Sequence, residues 1–219
     1  MQAQLDFIGT PKVKREPEQF ALWNRDGKPN KPQKDIDFAN VDTLFNSFDS
    51  EEVERYKNYW ESVKPKNDTE VFQRWLFAFM SVHTSWESNV RGYEAIKDWT
   101  KWVNRDDELE RLLVQSRVGL HKNRTRFISQ FAQKFWSDPE WYKHQEGNWQ
   151  TLRDRLVKSI LGLGIAKVSF SLEMIYPNEA EVTCMDTHLF QAYGLNQTKD
   201  ARRYKEIEDY WLGMCRMWN

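Results

Sequence analysis

An all-α fold is predicted, on three observations. Apolar side chains recur at helical spacing through nearly the whole chain from about Asp42 onward, polar capping residues stand where two of those stripes begin, and strand-like alternation is missing except in "EVTCM", 181–185. No repeat at a solenoid period is present.

Residues 1–38 read as a polar arm punctuated by Pro11, Pro17, Pro29 and Pro32, with "DGKPNKPQK" as extended chain or surface loop. Asp49 with Glu52 makes a capping-box start for the helix "EEVERYKNYWESV". After "KPKNDTE", Phe72, Trp75, Leu76, Phe79 and Met80 hold the i, i+3, i+4, i+7, i+8 spacing, and Val71 and Phe77 add apolar groups on other sides. That helix is therefore expected to be buried nearly all round, as the central strut. Further helices are predicted over about 86–97, 106–115, 123–136 and 148–160, the last carried by Trp149, Leu152, Leu156 and Ile160. Gly162 and Gly164 then interrupt the pattern in a tight turn before a stripe of Val168, Leu172 and Ile175. Asp186 is placed as the N-cap of "THLFQAYGL", and Tyr204, Ile207, Trp211 and Met214 mark the last helix.

Composition narrows the function classes. At 219 residues the chain can bury a sizeable apolar core in one domain or two small lobes. With 32 basic and 33 acidic side chains the global field is nearly neutral, so any nucleic-acid surface must be local. Two cysteines, Cys184 and Cys215, make neither a disulfide framework nor a four-cysteine cluster site, which points to a reducing, intracellular setting. Neither a signal peptide nor a bilayer span is expected. Of the 11 tryptophans, most should be core and some could offer stacking surfaces to bases.

The chemistry-bearing segments are "LGLGIAKVSF" and "CMDTHLFQ". Taken singly, the glycines are a helix cap and turn, and Asp186 is an ordinary N-cap. Glycines at such a turn also let a phosphate approach the backbone, with the following helix presenting its first amides and positive dipole end. Together the two segments resemble the helix-hairpin-helix (HhH-GPD) DNA glycosylase superfamily, endonuclease III-like and 8-oxoguanine glycosylase-like, whose members carry an "LPGVG" type hairpin and then a "VDTH" segment. The resemblance spans about residues 70–194, and only the Asp-Thr-His segment approaches identity. It implies a two-lobed helical fold: a bundle over about 66–177, and a second lobe from about 39–65 and 178–219.

Upstream, "RWLFAFMSVHTSWESNV" is similar to the helix and turn that supply the residue filling the hole left by an extruded base, which places His83 there. "RVGLHKNRTRFI" is similar to the second wedging loop and puts Leu120 at or next to the intercalating position. Such wedges offset the unstacking that base extrusion requires. Around them Arg117, His121, Lys122, Arg124 and Arg126 form a local basic cluster suited to phosphates. The resemblance makes Asp186 the carboxylate that stabilises positive charge on the deoxyribose as the N-glycosidic bond breaks. Trp86 and Cys184 become candidates for the base pocket.

Superfamily members that also cut the strand use a hairpin-helix lysine as an amine nucleophile. It normally follows the second hairpin glycine by two positions, which here is Ala166, with Lys167 one further. One step along a helix turns a side chain by about 100°, an argument for water as the nucleophile. A hairpin one residue longer would bring "AKVSF" into line with the lysine helix instead. Both readings stay open, with Lys167 as candidate nucleophile beside Asp186. Other departures are Leu161 at the usual hairpin proline, Val168 at a usual alanine and Gln191 at a usual arginine. They place the chain in a divergent branch without an iron-sulfur cluster.

The resemblance thus implies a DNA glycosylase excising a damaged, mispaired or modified base, with AP lyase activity open. Two alternatives stand beside it: a base-modifying transferase of the same fold acting on hypermodified phage-type thymines, and a non-catalytic DNA-binding hairpin module. Double-stranded DNA is the expected partner and a monomer the expected state. No metal is required for the chemistry, although hairpin carbonyls offer a seat to a structural monovalent cation.

Overall fold

The computed structural model describes residues 34–218, so residues 1–33 of the polar arm lie outside the described residues. The described residues form ten α-helices with no strand: α1 (Phe38–Asn46), α2 (Ser50–Ser62), α3 (Asp68–Met80), α4 (Trp86–Ile96), α5 (Asp106–Gln115), α6 (His121–Ser137), α7 (Trp149–Ser159), α8 (Ile165–Ile175), α9 (Thr187–Ala192) and α10 (Tyr204–Trp218). Short polar side chains start most of them. Asn67 accepts from the Glu70 amide at 3.0 Å, Asn148 from Thr151 at 3.0 Å and Ser85 from Ser88 at 3.4 Å. Asp49 caps α2 by accepting from the Glu51 amide at 2.8 Å, but Glu52 turns to Arg55, so the reciprocal half of the expected box is not made. Helix α6 begins at His121, slightly earlier than its stripe predicts, and α1 starts at the edge of the expected arm.

Two apolar cores organise the chain. The larger runs from α3 through α8 and is centred on α3, whose Phe72, Trp75, Leu76, Ala78 and Met80 are fully buried. Burying a Phe or Leu side chain contributes about 1.5–3 kcal/mol. Helix α3 packs on α4, α6 and α8, which is why nearly its whole circumference is apolar. Phe72 stacks on Phe131 of α6 with ring centroids 5.6 Å apart. Gly92 lets α4 approach, because a Cβ there would stand 2.9 Å from Met80 Sδ and 3.4 Å from Val118.

The smaller core joins α1, α9 and α10 through Val41, Phe45, Met185, Phe190, Tyr193, Tyr204 and Ile207, and Ile165 and Ala166 at the start of α8 pack against it. Helix α2 contributes no buried residue to either core. Where the cores meet lies a buried polar knot. Arg153 of α7 and Glu208 of α10 form an ion pair with neither side chain exposed, and Ser169 and Tyr204 sit beside them.

The stretch 181–185 is not a strand. Its backbone groups are taken by side chains rather than by a neighbouring chain: Glu208 accepts from the Thr183 amide at 2.8 Å, Glu173 from Cys184 at 3.1 Å, and Tyr204 Oη from Met185 at 3.1 Å while donating to the Thr183 carbonyl at 2.6 Å. A segment whose donors are spent this way has no ladder to offer.

Candidate active site

This tethered segment delivers Asp186 to the start of α9. One carboxylate oxygen accepts the amides of His188 at 2.9 Å and Leu189 at 3.0 Å, as an N-cap does, and the side chain is only half-buried. Asp186 is therefore held in one orientation but not sealed in the interior.

Lys167 lies on the first turn of α8, with its ammonium 5.3 Å from the centre of the Phe170 ring. From Phe170 an aromatic wall continues through Phe77, 6.2 Å away, to Trp86 and Tyr93, whose rings stand 5.7 Å and 5.4 Å from Phe77. Trp86 is 54% exposed, so this wall ends at the surface. Cys184 is partly buried: burial pushes its thiol well above the ordinary range, with Glu173 and Asp186 raising it further and Lys167 opposing. Lys167 and Asp186 thus both act on the Cys184 thiol, and the aromatic wall links Trp86 to the lysine.

The turn between α7 and α8 is exposed. Gly162 has φ +90°, and a Cβ on it would meet the Phe127 ring at 2.4 Å, so both backbone and packing demand glycine. Gly164 has ordinary extended backbone and nothing within 4 Å of its Cβ position, while Leu161 is exposed beside it. The hairpin sits on α6, where Arg126 lies 4.7 Å over the same Phe127 ring.

His83 and Leu120 share an unusual backbone. Both are exposed, and both are left-handed, with φ 49° and 60°. For non-glycine residues such a conformation costs about 1–3 kcal/mol and must be imposed by its surroundings. Lys122 is exposed on the first turn of α6, and His121 is half-buried with Nε2 3.7 Å from a Glu110 oxygen. Arg124 corrects the sequence reading. It is only 4% exposed, and its guanidinium is spent on backbone carbonyls of Phe79, Met80, Val82 and Gly119 and on the Thr84 hydroxyl. A phosphate cannot reach it. Desolvation lowers its pKa from the usual arginine value.

No protein-family model matches the chain, and no curated protein sequence does. Solved structures do match. The 8-oxoguanine DNA glycosylase of Methanocaldococcus jannaschii superposes with a TM-score of 0.62 at 22% identity, over 80% of this chain and 83% of that one. A structure of the 8-oxoguanine glycosylase/lyase of that organism in complex with 15mer DNA containing 8-oxoguanine gives 0.62 at 21% identity, over 83% and 88%. The 8-oxoguanine DNA glycosylase of Thermotoga maritima gives 0.61 at 17% identity, over 77% and 84%. The chain has the two-lobed helical HhH-GPD glycosylase fold.

Within this glycosylase fold the lysine register has a physical reading. Ala166 packs against the smaller core, so a lysine there would be driven among apolar side chains, whereas the next position turns to Phe170. Sequence reasoning missed the tethers of the Asp186 segment: Glu173, Tyr204, Arg153 and Glu208. A signal existed for two of them, since Arg153 falls in phase with Trp149 and Leu156, and Glu208 in phase with Tyr204 and Trp211, which puts charges on buried stripes. Among the described residues no group of three or more His, Cys, Asp or Glu is placed to hold a metal ion, and no helix is long and apolar enough to cross a membrane.

Proposed function

We propose that the chain is a DNA glycosylase that binds duplex DNA, extrudes one damaged, mispaired or modified base and cleaves its N-glycosidic bond. The observation that carries this reading is the half-buried Asp186 carboxylate, fixed at an N-cap by the amides of His188 and Leu189, in a fold shared with 8-oxoguanine glycosylases. As the base departs, positive charge grows on the sugar, and a prefixed carboxylate stabilises it without reorganising. Gly164 and the first amides of α8 would seat a strand phosphate, and His83 and Leu120 would fill the gap in the stack.

Lys167 is the nucleophile in this reading. Its amine attacks the anomeric carbon and the glycosidic bond breaks with its electron pair leaving on the base, which takes up a proton. The nitrogen sheds a proton, and its lone pair opens the sugar ring at the C1′–O4′ bond with O4′ taking a proton. The resulting Schiff base is what borohydride reduces to a stable adduct. The packing of Ala166 supports it, because the longer hairpin then directs the amine at position 167 away from the smaller core.

The test is a panel of duplexes carrying 8-oxoguanine first, then alkylated, deaminated and 5-substituted bases, assayed with and without borohydride. Release of a free base by the wild type and not by Asp186→Asn is the expected result, with trapping abolished in Lys167→Ala. A base altered but still attached to its sugar would instead identify a transferase. Duplex binding indifferent to Asp186→Asn, with no product from any base, would leave a binding module.

A further inference from the structure

The corrected place of Arg124 has a consequence for the two exposed loops. We propose that Arg124 is a positioning residue that joins the His83 turn and the Leu120 turn into one rigid body, so that both side chains enter the base stack together. This rests on the reading of those two residues as wedges.

The geometry is one guanidinium spanning two loops that are distant in sequence. On one side its Nε reaches the Phe79 carbonyl at 3.4 Å, and Nη2 reaches the carbonyls of Met80 at 3.3 Å and Val82 at 2.5 Å and the Thr84 hydroxyl at 2.5 Å. On the other, Nη1 donates to the Gly119 carbonyl. Its acceptors flank His83 on both sides and immediately precede Leu120, two of the four left-handed non-glycine residues among the described residues. Thr84 also donates to the Val82 carbonyl at 2.8 Å, which closes the first turn around the guanidinium.

Helix α4 reinforces the tie from a second direction. Arg91 Nε donates to the Ser116 carbonyl at 2.6 Å, fixing the start of the Leu120 loop, and Gly92 admits both Met80 and Val118 to close contact. A planar five-donor fork suits this role and a lysine does not, since one ammonium cannot span acceptors on two loops in a fixed plane. The bonded partners are backbone carbonyls and a hydroxyl rather than a carboxylate, so the guanidinium keeps its charge beneath the loops that would face DNA.

Two measurements on the full chain test this. In hydrogen exchange without DNA, Arg124→Lys and Arg124→Gln should speed exchange in 81–85 and 116–120 together, leaving α7 and α8 as in the wild type. Faster exchange in one loop alone, or in neither, overturns the clamp. In the second, extrusion is followed by fluorescence of 2-aminopurine in duplex DNA, alongside excision from duplex and single-stranded oligonucleotides carrying the same base. Arg124→Lys should lower duplex extrusion and excision by on the order of tenfold to a hundredfold while sparing the single strand, where no stack is opened. An equal loss on both substrates marks a merely structural role and overturns the proposal. Should both Arg124 variants fail to fold, Thr84→Val removes one acceptor and should give the same pattern, weaker; no change in it overturns the clamp. Failure of the wild type to extrude or excise anything sinks the glycosylase reading, while the exchange result judges the clamp by itself.

Discussion

Glu208 Oε1 accepts the backbone N–H of Thr183 at 2.8 Å and at the same time receives the buried guanidinium of Arg153. The ion pair therefore does more than join α7 to α10: it fixes the strand of chain that carries Asp186. Removing one charge leaves the other buried and unpaired, so Arg153→Met should cost about 3–5 kcal/mol in urea unfolding. Arg153→Met with Glu208→Leu should recover most of that loss but not all, because the Thr183 amide still lacks an acceptor, worth about 1–3 kcal/mol. The double variant should also excise more slowly than its stability alone accounts for, as the tether upstream of Asp186 is gone.

The proposed reaction gives Asp186 two separable jobs. Its N-cap bonds to His188 and Leu189 need an oxygen, and the proposed excision needs the charge. Asparagine caps about as well as aspartate, so Asp186→Asn should unfold within about 0.5 kcal/mol of the wild type, whereas Asp186→Ala should lose about 1 kcal/mol. Both should lower single-turnover excision by about a hundredfold or more. Comparing urea midpoints with rates in the two variants separates the roles, and equal activity in Asp186→Asn and wild type would remove the charge from the mechanism.

Much of this was legible in the sequence, and the gaps share a cause. Helices such as α3, α5 and α7 pack apolar faces, so local periodicity finds them, and the Asp186 cap is a local event too. In sequence Arg124 looks like a surface cation, because nothing nearby announces the carbonyls of Met80 and Val82 that bury it. Strand-like "EVTCM" was ambiguous for the same reason, since Glu208 and Tyr204, which hold it, come from α10. Arg153 and Glu208 stand on buried stripes, a visible anomaly, but only the fold pairs them.

Glu173 makes stability depend on pH. Burial, opposed by the Cys184 amide and assisted by Glu208 and Asp186, pushes its carboxyl up to about 8. The folded state then holds a proton that the unfolded chain releases near pH 4.5, so the contribution is fully present below about pH 4.5 and is lost as pH rises toward 8. Glu173→Gln keeps an acceptor for the Cys184 amide and cannot ionise. Above pH 8 it should be more stable than the wild type by about 2–4 kcal/mol, with the gap closing as pH falls to 5. Urea midpoints at pH 5, 7 and 9 decide it, and parallel pH profiles for the two proteins would mean that this carboxyl ionises alike in both states.

The two hairpin glycines should respond in opposite ways to the same substitution. Gly162→Ala places a methyl 2.4 Å from the Phe127 ring at φ +90°, so it should lose stability by about 1–3 kcal/mol from the backbone alone and more from the clash. Adding Phe127→Ala relieves the contact but not the left-handed strain, and it opens a cavity of its own, so the pair should not return to wild-type stability. At Gly164 the backbone is ordinary and the space around the Cβ position is open, so Gly164→Ala should fold as well as the wild type. If that open space is where a strand phosphate meets the first amides of α8, the new methyl blocks it, and duplex affinity should fall while the urea midpoint stays put. Unchanged affinity in Gly164→Ala would move the phosphate contact away from the start of α8 and leave the hairpin as a turn between two helices.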